Sequence, residues 1–325
     1  MRSRTIGVAL AGLLLALSPA GAQERFPERT VTVIVPFAAG GPTDVVARQL
    51  GEAMSRDLGV AVVAENVTGA GGTIGAQRVA QARPDGYTLL LGNVGVATAP
   101  ALYRRLPYDP LTAFDTVGLI TPVPMTLIGR PDLPAATLPE LVAWIRRTGA
   151  EVNLAHAGLG SASHLCATLF RSLLQVPVTA VAFRGTAPIM TEMMGGRVDL
   201  ACDQTTNTVP YIRDGRVKVF AVTTPRRLAA LPDVPTTAEG GMPGLLVTIW
   251  HGFYVPRGTP RPVVERLAQS LRAALADPAV VARFADLATT PEPPERATPE
   301  AHRALLDAEI ARWRPVIAAA GEYAD

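Results

Sequence analysis

Two stretches of this 325-residue chain combine glycines with short polar side chains in a way that suits an anion. Pro36-Phe37-Ala38-Ala39-Gly40-Gly41-Pro42-Thr43-Asp44 leads from a β-branched run into an amphipathic segment. Gly40 and Gly41 let backbone approach a ligand closely, and a helix N-terminus offers unpaired N–H groups that favour negative charge. An ordinary turn capped by Thr43 or Asp44 accounts for the same residues. No Lys-Ser or Lys-Thr follows, so this is not a phosphate-binding P-loop. Gly158-Leu159-Gly160-Ser161-Ala162-Ser163-His164 also follows an apolar run and opens a helix. Ser161 and Ser163 supply donors without charge, as a carboxylate cradle requires. Ser161, Ser163, His164 and Asp203 are also the residue types of a nucleophile, a base and an orienting acid. A serine two or three residues from a histidine at a helix start rarely aims at its Nε2, and the G-x-S-x-G elbow is missing. A secreted hydrolase is therefore the minor alternative, and His164 reads as a structural residue of the helix start. Gly69 to Gly75 has no glycine at the third position of G-x-G-x-x-G and reads as a structural loop. Cys166 and Cys202 can pair only if their Cα atoms approach, which the sequence leaves open. Four histidines and two cysteines, scattered along the chain, offer no metal cluster, and no cofactor is expected.

These loops need a scaffold, and the hydrophobic pattern supplies an α/β one. Val31 to Pro36 reads as a strand, and Pro42 to Leu58 as a helix with Gly59 at its C-cap. Val60 to Ala64, a helix from Thr73 to Ala82, and the continuous apolar run Tyr87 to Gly92 follow; such runs mark strands covered on both faces. Thr116 to Thr121 and Met125 to Arg130 read as two strands. Thr137-Leu138-Pro139-Glu140 is a capping box opening a helix through Arg147. Strands at 152–155, 178–183, 198–202 and 217–223 alternate with helices at 163–174 and 187–194, which implies open sheets with crossover helices. After Pro260 the pattern is helical: 262–276, 279–287 and 299–320, with a kink expected at Pro315. Three helices without a strand between them must pack back on the first half. The candidate hinges are Pro122-Val123-Pro124 and Gly240 to Gly244. The domains expected are 23–122 with 245–325, and an inserted 123–244. Ligands of open α/β sheets bind beyond the carboxyl ends of strands, so two such lobes make a cleft.

The composition agrees. Apolar residues are 48%, aromatics 5% and charges 18%, which excludes a disordered chain. Arg2 and Arg4 precede an apolar run from Ile6 to Leu17 and then Ala20-Gly21-Ala22, the plan of a signal peptide cleaved after Ala22. That run is short of the ~20 residues of a spanning helix. Removing the two arginines leaves 28 basic and 28 acidic groups, without the basic surplus that nucleic acid demands.

Taken together, the motifs resemble those of the Bug-type periplasmic solute-binding proteins of tripartite tricarboxylate transporters. The likeness runs from about Phe26 to Asp325 and rests on Val33 to Asp44, Val63 to Gly75, Arg83 to Leu89, Leu106 to Asp109, Ala157 to Leu165, Phe183 to Pro188, Leu231 to Thr236 and Val255 to Pro260. The resemblance implies a two-lobed, monomeric, non-catalytic periplasmic receptor of the Venus-flytrap kind, which closes on a small carboxylate and hands it to membrane transporter subunits. A sensory module presenting the same ligand to a kinase ectodomain shares every one of these residues. By motif matching, Phe37, Ala38, Gly40, Gly41, Thr43 and Asp44 hold one carboxylate. Asn93 and Val94 face the cleft from the first lobe, and Ser161, Ser163, His164, Arg184, Gly185, Thr186 and Asp203 line the second. Leu159 stands where relatives commonly carry a polar residue, so ligand identity does not carry over.

Overall fold

The computed structural model describes residues 26–321, 323 and 324; the signal-peptide and cleavage-site expectations lie outside them. The chain opens with strand β1 (Val31–Val35), helix α1 (Pro42–Leu58), β2 (Val62–Asn66), α2 (Thr73–Ala80), β3 (Thr88–Asn93), α3 (Val94–Leu102) and α4 (Pro110–Ala113). Next come β4 (Phe114–Gly129), α5 (Leu138–Thr148), β5 (Asn153–His156), α6 (Ala162–Leu174), β6 (Thr179–Ala182), α7 (Thr186–Met194), β7 (Leu200–Gln204), α8 (Thr205–Arg213) and β8 (Lys218–Val222). It ends with β9 (Thr248–Pro256), α9 (Arg261–Ala276), α10 (Pro278–Asp286) and α11 (Pro299–Ala320).

The strands order as β2-β1-β3-β9-β4-β7-β5-β6, with β8 also on β4. The β1–β2, β1–β3, β5–β6 and β5–β7 pairs are parallel. β9 runs antiparallel to both β3 and β4, so the sheet is mixed. β4 joins the two halves. Its residues through Pro124 pair with β9, and from Met125 onward it pairs with β7 and β8.

The two strands expected at 116–121 and 125–130 are thus one, and Pro122-Val123-Pro124 lies inside it. Along β9, β4 forms the edge of its sheet, where a residue without an N–H breaks no ladder bond. The Gly240 to Gly244 stretch is not an open linker either: Gly240 packs on Leu138 of α5 and Gly244 on Leu173 of α6. Pro315 is accommodated within a continuous α11.

Gly59 takes the left-handed C-cap of α1, φ 73°, as its position after the last apolar residue suggests. Thr137 caps α5 by accepting the Glu140 N–H. Elements that the pattern did not show are α3, which is apolar on all sides, the short α4, α8, which contains Pro210, and β9. The C-terminal helices pack back as expected: α9 lies on α1, and α11 on α3 and β4.

The apolar interior falls into two main clusters, of which the larger also takes in Ile34, Leu90, Phe114 and Tyr254 of the first half. One holds Val33, Leu50, Met54, Leu89, Phe253 and Leu271; another runs from Leu127, Leu141 and Leu154 to Phe170 and Cys202 and continues to α11. Cys166 of α6 and Cys202 of β7 form a disulfide, with Cα atoms 5.9 Å apart, within that second core. This answers the pairing question the sequence left open.

Candidate functional site

The loop between β1 and α1 is braced from within. The Gly40 N–H donates to Asp44 Oδ2 at 2.9 Å, and the Gly41 N–H to the Ala38 carbonyl at 3.3 Å. Asp44 also accepts from Arg48 at 2.8 and 3.0 Å and from Asn66 Nδ2 at 2.9 Å. Burial alone would raise the Asp44 carboxyl, but the hydrogen bonds from Arg48, Gly40 and Asn66 outweigh it and hold the group below the usual range. This bracing takes up the amide hydrogens of Gly40 and Gly41, and Gly40, at φ 77°, is needed for the turn itself. The first helical bond of α1 runs from the Val45 N–H to the Gly41 carbonyl. That leaves the amides of Thr43 and Asp44 at the open helix end. The Thr43 hydroxyl sits 3.3 Å from His251 Nε2, reaching across to β9.

The facing half brings three more helix starts. Ser161 caps α6: its Oγ accepts the His164 N–H at 3.2 Å and donates to the Gly158 carbonyl at 2.7 Å. Ser163 Oγ accepts the Ala157 N–H at 2.8 Å and lies 3.2 Å from Ser161 Oγ. His164 Nδ1 accepts the Gly160 N–H. These bonds organise the loop around its own backbone, which is not the arrangement of a nucleophile aimed at a base. Thr186 opens α7, Gln204 precedes α8, and Asn93 caps α3 by accepting the Gly95 N–H at 2.9 Å.

These elements meet at one cavity. Phe37, Thr43, Asn93, Ser161, Ser163, Thr186 and Asp203 line it, with Gln204, which the sequence reading missed although it adjoins Asp203. The space is small, about 10 Å³, close to the volume one water needs. Val94 instead belongs to the apolar core, 1% exposed. Arg184 is exposed and lines an outer groove with Gly69 to Gly72, Tyr103 and Leu159. Ala38 packs against Gly185, whose φ of 147° and lack of a Cβ allow the approach.

Asp203 is 1% exposed. Burial pushes its carboxyl up to about 6, against hydrogen bonds from Asn207 Nδ2 at 2.5 Å, the Gln204 N–H at 2.8 Å and Thr186.

The halves also touch at a rim. The Tyr103 hydroxyl donates to the Leu159 carbonyl at 3.1 Å, and the Thr98 hydroxyl to the Gly160 carbonyl at 3.0 Å. A Cβ on Gly71 would overlap the Leu159 oxygen, so the 69–75 loop, read from sequence as merely structural, forms part of this contact.

The sequence profile described as "Tripartite tricarboxylate transporter family receptor" matches residues 46–321. The chain belongs to this receptor family. It is 47% identical over 322 residues to the UPF0065 protein in the TAR-I ttuE-ttuC' intergenic region of Agrobacterium vitis, covering 99% of this chain and 93% of that one. Its fold is similar to that of the periplasmic binding protein BugD, with a TM-score of 0.89 and 47% identity over 92% of this chain and 99% of that one. It is also similar to MatC from Rhodopseudomonas palustris with bound malate, with a TM-score of 0.87 and 42% identity over 90% of this chain and all (100%) of that one. The receptor fold is the two-lobed α/β one, and the cavity described above lies between the lobes.

Proposed function

We propose that the chain is a periplasmic receptor that captures a small carboxylate and delivers it to the membrane subunits of a tripartite tricarboxylate transporter, without chemical turnover. One observation carries the reading: the starts of α1, α3, α6, α7 and α8 converge on a single cavity through Thr43, Asn93, Ser161, Ser163, Thr186 and Gln204. Helix N-termini hold anions through unpaired amides and the helix dipole, so five of them favour negative charge without a cation. The bound malate of MatC supports a carboxylate as the ligand class. The lobes are residues 23–122 with 245–325, and 123–244. The change of β4 partners between Pro124 and Met125 supports that division. Export by residues 1–22 completes the reading, and among the described residues no helix is long and apolar enough to cross a membrane.

The test is a thermal-shift screen of the purified mature protein with mono-, di- and tricarboxylates, sugars and nucleotides. A ligand at 100 times its dissociation constant stabilises the native state by about 2.7 kcal/mol. At roughly 2 °C per kcal/mol for a chain of this size, the melt should rise by about 5 °C. Carboxylates should produce the shift, and their methyl esters should not, because helix-end donors favour an anion over a neutral carbonyl. Equal shifts from acid and ester would defeat the proposal, as would hydrolysis of the ester.

A further inference from the structure

The cavity contains an acid where its proposed ligand is also an acid. Asp203 lies one residue before the end of β7, two before the start of α8, and contributes to the same lining as Thr43, Asn93 and Ser163. Its Oδ1 accepts the Gln204 N–H and its Oδ2 the Asn207 amide. Its partners are neutral, and no cationic side chain of the described residues lines the cavity. Beside it, Gln204 Oε1 is buried without a hydrogen-bond partner, so this wall carries a second acceptor. The helix starts that suit a carboxylate thus already hold one negative charge. A second anion within about 4 to 6 Å strongly disfavours two ionised groups together.

We propose that Asp203 takes up one proton from solvent when a purely anionic carboxylate enters the cavity, so that capture by this receptor is proton-linked. The inference rests on the carboxylate-receptor reading. The protonated carboxyl turns a repulsive oxygen into a donor for the ligand or for Gln204 Oε1. A ligand that brings its own ammonium group neutralises Asp203 directly and needs no proton. The ordinary range of Asp203, raised by burial to about 6, places the group within reach of such a shift near neutral pH.

The remaining titratable groups around the cavity are accounted for as follows. On α1, Asp44 is paired with Arg48. On β9, His251 lies behind Thr43 and is held neutral, burial pushing it down to about 3. His156 ends β5 and His164 begins α6, with rings 4.8 Å apart and each accepting a backbone N–H at Nδ1. Arg184 is on the exposed rim. β4 contributes Thr126 opposite Asp203, α7 Thr186 and α8 Asn207, all neutral.

The experiment is titration calorimetry of the intact mature protein with malate at pH 7, in buffers of different ionisation enthalpy. The expected result is uptake of close to one proton per malate, with affinity falling up to about tenfold per pH unit above neutrality. Aspartate, which carries an ammonium, should bind with uptake near zero, and uptake equal to that of malate would overturn the linkage. Asp203→Asn should bind malate with no uptake and a flat pH profile. Difference infrared spectra with carboxyl-labelled malate give a second readout in the unaltered protein: a protonated-carboxyl band should appear on binding. Malate binding without uptake and without that band would overturn the proton linkage alone. Uptake unchanged in Asp203→Asn would assign it to another group and overturn it too. Failure of malate and of every carboxylate in the thermal screen to bind would remove the receptor reading, and this inference with it.

Discussion

Among single residues, Asp44 shows best how a motif can be legible while its role is not. The sequence placed it in a glycine-rich loop suited to an anion, but its side chain turns inward to Gly40, Asn66 and Arg48. Loop type follows from local spacing; the direction of a carboxylate depends on partners such as Asn66, twenty-two positions away, which spacing does not reveal. Asp44→Ala leaves the Gly40 N–H without its acceptor and the Asn66 amide with the Phe37 carbonyl alone, and should cost about 2 to 3 kcal/mol in urea unfolding. Because the folded value lies below the unfolded one, the stabilisation by Asp44 is complete above about pH 4 and is lost as the pH falls through the folded value. Asp44→Asn should accordingly flatten the acid limb of the stability profile below pH 4. An unchanged acid limb would show that the brace does not form.

At the level of elements, helices with an amphipathic stripe and a cap were readable, and α1, α5, α6 and α11 fall within a residue or two of their expected bounds. What escaped was decided by burial. α3 has no polar face to give a period, and β4 and β9 take their length from pairing with each other. The disulfide belongs to this scale, because it ties α6, which carries Ser161 and Ser163, to β7, which carries Asp203. It closes a loop of 36 residues. On the chain-entropy account such a loop is worth roughly 4 kcal/mol. Cys166→Ala/Cys202→Ala should therefore lower the melting temperature by about 8 °C. Reduction of the wild-type protein should approach the same value, and an equal melt for both proteins would contradict the estimate.

For the whole molecule, three further buried groups shape the response to acid above the range of Asp44. Burial pushes His251 and His302 down to about 3, so the stability they contribute is complete above about pH 6.5 and is lost as the pH falls toward 3. Asp203, raised to about 6, acts in the opposite sense: its folded form gains protons first, which stabilises the native state as the pH falls from 6 to 4. Near pH 5 the unfolded chain thus binds about one more proton than the native state at these groups, which gives a slope of about 1.4 kcal/mol per pH unit. Asp203→Asn removes the opposing contribution and should steepen the slope to about 2.7 kcal/mol per pH unit. Urea titrations between pH 4.5 and 5.5 measure it directly, and an equal slope in both proteins would refute the opposition.

The rim contact has a further consequence. Tyr103 and Thr98 grip the carbonyl oxygens of Leu159 and Gly160, atoms that every amino acid supplies. None of these four residues lines the cavity, so the side chains that do line it can change while the latch stays intact. Recognition and closure are separately inheritable in this molecule, which gives a lineage of such receptors a way to change diet without relearning how to shut.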